Sequence, residues 1–262
     1  MLFINNKKKN TTLVKEKLIV KIFPSREKMG QKAAEEVAKK ICEILATKEE
    51  INMIFAAAPS QQEFMEHLIL DKTIEWQRIN AFHMDEYIGL EKDDPQGFGN
   101  FLRDRLFEKV PFKSVHYINS QASDIEAECE RYAQLLKENP VDIVCLGIGE
   151  NGHIAFNDPH VADFNDTKLV KVVDLDLICR QQQVNEKCFT TLDSVPTRAI
   201  TVTIPALTIA KDMFCVVPAR NKANAVFKTL TENISERCPA TVLRTKENAM
   251  LYLDNESSFL LN

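Results

Sequence analysis

The sequence predicts an α/β fold: a largely parallel sheet flanked by helices. Two observations predict it. Strand-like apolar runs alternate with helical-period segments along most of the 262 residues, the pattern of βαβ units. And three of only seven glycines, Gly147, Gly149 and Gly152, crowd the end of one apolar run, where open α/β sheets bind their ligands.

The elements follow in order. Residues 18–23 (LIVKIF) read as a strand, and Ser25 as the cap of a helix whose Met29, Ala33, Val37, Ile41 and Leu45 recur at helical spacing. Residues 52–58 (NMIFAAA) read as a strand, Pro59-Ser60 as a turn, and Ser60 to Glu63 as a capping box for a helix carrying Phe64, Leu68 and Leu70. Residues 79–84 form another strand, closed by Asp85, Glu86 and Tyr87, before a loop over 89–99 and a helix with Phe101, Leu102 and Leu106. A short strand at 115–118 precedes a second capping box, Ser123 to Glu126, for a helix with Ile125, Cys129, Tyr132 and Leu136. Strands are expected at 141–146, 169–173, 199–204, 213–217 and 250–253, and a helix at 219–230. With no repeat, low-complexity segment or separating linker, residues 15–262 read as a single domain and 1–14, with Lys7–Lys9, as a flexible arm.

Composition narrows the function classes. A 45% hydrophobic and 27% charged chain is ordinary for a soluble domain and needs no metal or disulfide to support its core. A net charge of −5 gives no general attraction to nucleic acid or an anionic membrane, so an anionic substrate needs a local positive site. No stretch approaches a membrane span. The N-terminus runs apolar then basic, the reverse of a signal peptide. Seven cysteines in no CxxC or zinc spacing read as reduced structural thiols of a cytoplasmic protein.

Four groups of residues carry potential chemistry. Asp85 and Glu86 end a strand, where partial desolvation raises a carboxyl toward a useful base; the bland alternative is an acidic strand end. His153, flanked by Asn151 and Asp158 in a loop of glycines, can move protons near neutral pH. One His and one Asp are too few ligands for a metal. Ser60 opens a helix whose free N–H groups suit an anion, although its loop has no glycine. Lys222 opens a helix at the end the dipole disfavours for a cation, which points to an anion nearby.

With Met84-Asp-Glu-Tyr87 and the run from Gly147 to Pro159 (GIGENGHIAFNDP) in hand, the chain resembles the glucosamine-6-phosphate deaminase (isomerase) family from about residue 15 to the end. The resemblance implies a Rossmann-like fold, as in the wider deaminase and phosphogluconolactonase group. It implies a cofactor-free, metal-free conversion of glucosamine 6-phosphate and water to fructose 6-phosphate and ammonia. By motif match Asp85 takes the place of the base moving a proton between C2 and C1, His153 that of the ring-opening acid–base, and Asn151 and Asp158 those of its supports. Ser60 and Lys222 match the residues that hold the phosphate, and the substrate cradle is completed by Ala57, Ala58, Glu86, Gly149 and Gly152. A homo-oligomer is expected. Asp158 stands where Glu is usual. The usual Gly-Thr-rich phosphate loop is Ala57-Ala-Pro-Ser-Gln61 here, and a family arginine falls near Asn185, leaving Arg180 or Arg220 to compensate. Two rivals follow: a 6-phosphogluconolactonase-type hydrolase, in which the histidine activates water, and a non-catalytic sugar-phosphate-binding protein.

Overall fold

A computed structural model describes residues 10–261; Lys7–Lys9 lie outside the described residues. Strand β1 (Thr11–Lys15) turns at Glu16 (φ 47) and pairs antiparallel with β2 (Leu18–Phe23). The arm expected over 1–14 is therefore a strand from Thr11, because Leu13 finds apolar partners in the core. Ser25 caps α1 (Arg26–Leu45), accepting Lys28 N–H, and the helical-period residues of α1 are buried. Then come β3 (Ile51–Phe55), a 3-10 turn at Pro59–Gln61 and α2 (Gln62–Leu70). The capping box read at Ser60 does not form. The Ser60 hydroxyl takes the Gln61 amide, and Glu63 pairs instead with Arg26.

Strand β4 (Ile79–His83) is followed at once by β5 (Asp85–Ile88), then α3 (Phe98–Leu102), β6 (Ser114–His116) and α4 (Ile125–Glu138), capped by Asp124 rather than Ser123. The rest is β7 (Ile143–Leu146), β8 (Val170–Asp174), α5 (Leu177–Asn185), β9 (Arg198–Val202), α6 (Ile204–Thr208), β10 (Asp212–Val217), α7 (Ala223–Thr231) and β11 (Ala249–Asp254).

The main sheet has the order β1-β2-β11-β10-β7-β3-β4-β6, parallel throughout except at β1. From β3 the chain steps outward through β4 to β6. It then returns to the other side of β3 with β7 and continues outward through β10 and β11. The reversal lies between β3 and β7, where the loops leaving the strand tips diverge and open a crevice. Successive strand residues serve opposite faces. Met213, Cys215 and Val217 of β10 join the core under α4 and α7, while Phe214 and Val216 join the one under α1 and α2.

The runs at β8 and β9 are not part of the parallel sheet. With β5 they form a small antiparallel sheet of order β5-β9-β8, in which Asp85 lies opposite Thr201. The chain thus leaves the main sheet at His83 and enters the small one at Asp85, with the Met84 carbonyl accepting Val202 N–H.

That junction is held from below. The fully buried Tyr132 of α4 accepts the His83 N–H at 3.0 Å and lies 2.9 Å from the His83 carbonyl. Tyr132→Phe leaves these groups unpaired, a cost of about 1–3 kcal/mol. Calorimetry should show a fall in Tm of about 2–4 °C for each kcal/mol.

Candidate active site

Adjacent strands β10, β7, β3 and β4 send their carboxyl ends to one cleft. The segment after β3 supplies Ala57, Ala58, Ser60 and Gln61; the β4–β5 junction supplies Asp85; the loop after β7 supplies Gly147, Gly149 and His153; the turn after β10 supplies Lys222. Phe98, Phe156, Gln182 and Gln183 complete the walls. Asp85 and His153, far apart in sequence, therefore face the same space.

The His153 ring is fixed at Nδ1, which lies 2.8 Å from Asn151 Oδ1 and 3.0 Å from Asp158 Oδ1. Asn151 donates its amide hydrogens to Asp158 and Asp176, each at 2.9 Å, so its oxygen is the acceptor toward His153. Both neighbours of Nδ1 are acceptors. The proton sits there, and Nε2 is left for the cleft. Burial pushes the Asp158 carboxyl up, but hydrogen bonds from His153, Asn151 and the Asp176 N–H outweigh it and hold it below its ordinary range. The shorter side chain at 158 thus still reaches the imidazole directly.

The glycines are explained by the same ring. A Cβ on Gly149 would lie 2.0 Å from His153 Cε1. Gly152 has φ 88, and a Cβ there would meet Cys238 Sγ at 2.7 Å. Gly149 lines the cleft; Gly152, Asn151 and Asp158 act behind it, on His153 or its loop.

Asp85 is 6% exposed, and no protein group among the described residues donates to its carboxyl. Burial, then the neighbouring Glu86, raise its affinity for a proton well above the ordinary 3.8. Its backbone is anchored by His83, a residue sequence reasoning passed over. The buried His83 ring lies 3.0 Å through Nδ1 from the Asp85 carbonyl and accepts Ile118 N–H at Nε2 at 2.9 Å. Burial lowers His83 to about 4, so it stays neutral, as two such partners require. The signal in the sequence was a histidine inside a largely apolar strand.

Glu86 does not line the cleft, which corrects its expected place in the cradle. Its carboxylate accepts the N–H groups of Tyr87, Phe98 and Gly99 at 2.7–2.9 Å and ties down the start of α3. This role follows from the alternation of strand residues, which turns 86 away from the side that 85 faces.

At the far end Lys222, 3% exposed, pairs with Glu186 at 2.8 Å. The anion beside it is thus a residue of this chain. Arg180 does not compensate for the missing arginine: it donates to the Leu192 and Val195 carbonyls. Arg220 stacks on Phe259 and lies near Glu256, and Asn185 accepts from Gln181. None of the three lines the cleft. Gln61 donates to the Val216 carbonyl at 3.0 Å, and its Oε1 is buried without a protein partner.

His153, Asp158 and Cys179 bring ligand-type atoms within 4.8 Å of one another, as do Asp158, His160 and Asp176. Hydrogen bonds from Asn151, His153 and the Asp176 N–H already occupy the Asp158 oxygens, so these groups need no ion to explain them.

Residues 24–252 match the family of glucosamine-6-phosphate isomerases and 6-phosphogluconolactonases. The chain belongs to this family. It is 35% identical over 240 residues to a glucosamine-6-phosphate deaminase of Bacillus cereus, covering 92% of this chain and 87% of that one, and equally so to one of Bacillus thuringiensis. Among solved structures, a monomeric glucosamine-6-phosphate deaminase superposes with a TM-score of 0.82 at 33% identity, over 92% of this chain and 99% of that one. A 6-phosphogluconolactonase of Thermotoga maritima superposes at 0.74 with 23% identity over 91% and 100% of the two chains, a likeness of fold. The family shares the α/β architecture described above. The oligomer expected from the resemblance is not a property of every relative, since that deaminase is a monomer. No helix among the described residues is long and apolar enough to cross a membrane.

Two outcomes follow from the geometry. Gly149→Ala drives a methyl into the imidazole and should lower kcat/KM by about 10²-fold or more, the worth of a misplaced general acid–base, with circular dichroism unchanged. Asp85→Asn removes a carboxyl whose folded pKa is raised. Such a group favours the fold below its unfolded value of 3.8, and that contribution is lost as pH rises through the folded value. The variant should therefore melt above the parent at pH 7, with the difference vanishing below about pH 4.

Proposed function

We propose that the protein catalyses isomerising deamination of an amino-sugar phosphate, converting glucosamine 6-phosphate and water to fructose 6-phosphate and ammonia. The observation that carries this reading is the pair facing the cleft: a desolvated carboxyl without a protein partner, and an imidazole anchored at Nδ1 with Nε2 turned to the substrate side.

The roles follow from what each group can hold. The cyclic sugar opens when Nε2 of His153 takes the proton from O1 and a proton returns to O5. The Asp158 carboxylate stabilises the imidazolium formed on the way. The resulting C1 carbonyl acidifies the C2 proton. Asp85, itself only 6% exposed, removes it, and the same carboxyl delivers it to C1. Loss of the C2 proton leaves an enolamine, with oxygen on C1 and nitrogen on C2; the proton returned to C1 turns it into the C2 imine, water adds to give the carbinolamine, and ammonia leaves to give the ketose. A base with a raised pKa suits this shuttle, since it must both take and return one proton. Ser60 and Lys222 mark the end where the phosphate sits.

A hydrolase acting on a lactone has no use for a carboxyl placed like Asp85, and a pure binding protein has none for a buried unpaired one, which destabilises the fold. Free cysteines throughout suit a reducing compartment, and we place the protein in the cytoplasm.

The direct test supplies glucosamine 6-phosphate, galactosamine 6-phosphate, unphosphorylated glucosamine and a 6-phosphogluconolactone, and follows ammonia and acid release. Ammonia from glucosamine 6-phosphate is expected; lactone hydrolysis without ammonia would replace the reading. In Asp85→Asn, exchange of the C2 proton with solvent, followed by NMR in deuterium oxide, should fall by about 10²–10⁴-fold, while ligand binding persists. In the parent, the acid limb of kcat should lie above 3.8, because Asp85 must be ionised to accept the proton.

A further inference from the structure

The cation at the phosphate end of the cleft already has an anion. Among the described residues lining the cleft, Lys222 is the one that carries an ammonium or guanidinium. Its side chain is 4% exposed, and Nζ lies 2.8 Å from Glu186 Oε1, itself on a side chain only 13% exposed. Glu186 is held in that position. Gln182 donates to the same oxygen at 3.0 Å, and Gln182 in turn accepts the Glu150 N–H at 2.8 Å. The Glu150 side chain accepts from Asn221, the residue before Lys222. The carboxylate is thus built into a hydrogen-bonded chain joining α5, the β7 loop and the turn that carries Lys222.

A lysine buried alone is costly, and Glu186 offsets that cost. A phosphate ester changes the balance. It brings up to two negative charges toward an ammonium whose charge is already matched, and repels the carboxylate across a partly desolvated gap. No arginine stands by to meet the extra charge, since Arg180 and Arg220 are engaged elsewhere.

We propose that Glu186 is a built-in competitor for the substrate phosphate: the phosphate reaches Lys222 only as the Glu186 carboxylate gives way, and Glu186 thereby sets the affinity of the site for the phosphorylated end of the sugar. This rests on reading the cleft as an amino-sugar-phosphate site and deepens it. Glu186 touches no reacting carbon in this scheme; it acts through Lys222, so its effect falls on KM rather than on kcat.

The test is Glu186→Gln, which keeps the shape and the acceptor for Gln182 but removes the charge, with Glu186→Ala as a second variant. Inorganic phosphate is titrated calorimetrically into the parent and both variants. KM and kcat are measured for glucosamine 6-phosphate and for unphosphorylated glucosamine. Phosphate should bind roughly tenfold tighter once the like charge is gone, and KM for the phosphorylated sugar should fall by a similar factor. Its kcat should hold within about twofold, and the constants for glucosamine should not move. Unchanged or weaker phosphate binding in both variants would show that Glu186 merely orients Lys222 and would overturn the proposal. The calorimetry needs no turnover. Tighter phosphate binding without ammonia from any sugar would uphold Glu186 and remove the reaction. Ammonia release with phosphate binding no tighter would do the reverse.

Discussion

An aspartate is kept nearly out of water without a partner for its charge, and much of the molecule is arranged around that one constraint. A buried carboxyl left unsatisfied works against folding, so its place has to be enforced by groups that do not touch its oxygens. The enforcement is backbone-based. Asp85 is the first residue of β5, bound into the small antiparallel sheet opposite Thr201. Two residues earlier the chain is still in the parallel sheet at β4, where Tyr132 grips His83 by both peptide groups and the His83 ring reaches forward to the Asp85 carbonyl. The neutral imidazole suits this task because one nitrogen donates and the other accepts. A protonated ring would face the Ile118 N–H with a second donor.

The histidine across the cleft is managed in the opposite way. Its side chain is held directly, and its partners there gather on one nitrogen only. Asn151 and Asp158 both meet Nδ1, Asp176 supports them, and Gly149 is bare because the ring occupies the space of its Cβ. One group is therefore left without partners so that its proton affinity rises, and the other is partnered on a single side so that its free nitrogen is directed. Two titratable groups in one cleft acquire different roles from different surroundings, the pattern expected where protons are moved in sequence.

Much of this was legible in the residues. The parallel sheet followed from continuous apolar runs alternating with helices, and the glycine cluster located the loop that carries His153, because a chain with so few glycines places them where backbone or side chain leaves no room. What was hidden shares one cause: it depends on contacts between segments distant in sequence. The runs at β8 and β9 look like any apolar strand, and only their pairing with β5 reveals the second sheet. Glu86 stands beside Asp85 in the motif, yet the pleat sends it to the start of α3. Ser60 and Glu63 have capping-box spacing, but Arg26, on α1, claims Glu63. His83 was read as part of a strand because nothing local announces Tyr132 or Ile118.

The Lys222 end shows how far a local anomaly can be taken. A lysine at the start of a helix is out of place electrostatically, and that mismatch points to an anion. It could not say whose. A bound phosphate and an internal carboxylate leave the same mark on the sequence, since both satisfy the same cation. They differ in consequence. A cation waiting for its ligand must be kept solvated or tolerate burial unpaired, whereas one already paired can be buried to 3% exposure without that penalty. The depth at which Lys222 lies is thus itself an argument for Glu186. It makes the affinity for a phosphorylated sugar depend on how readily that ion pair can be shared.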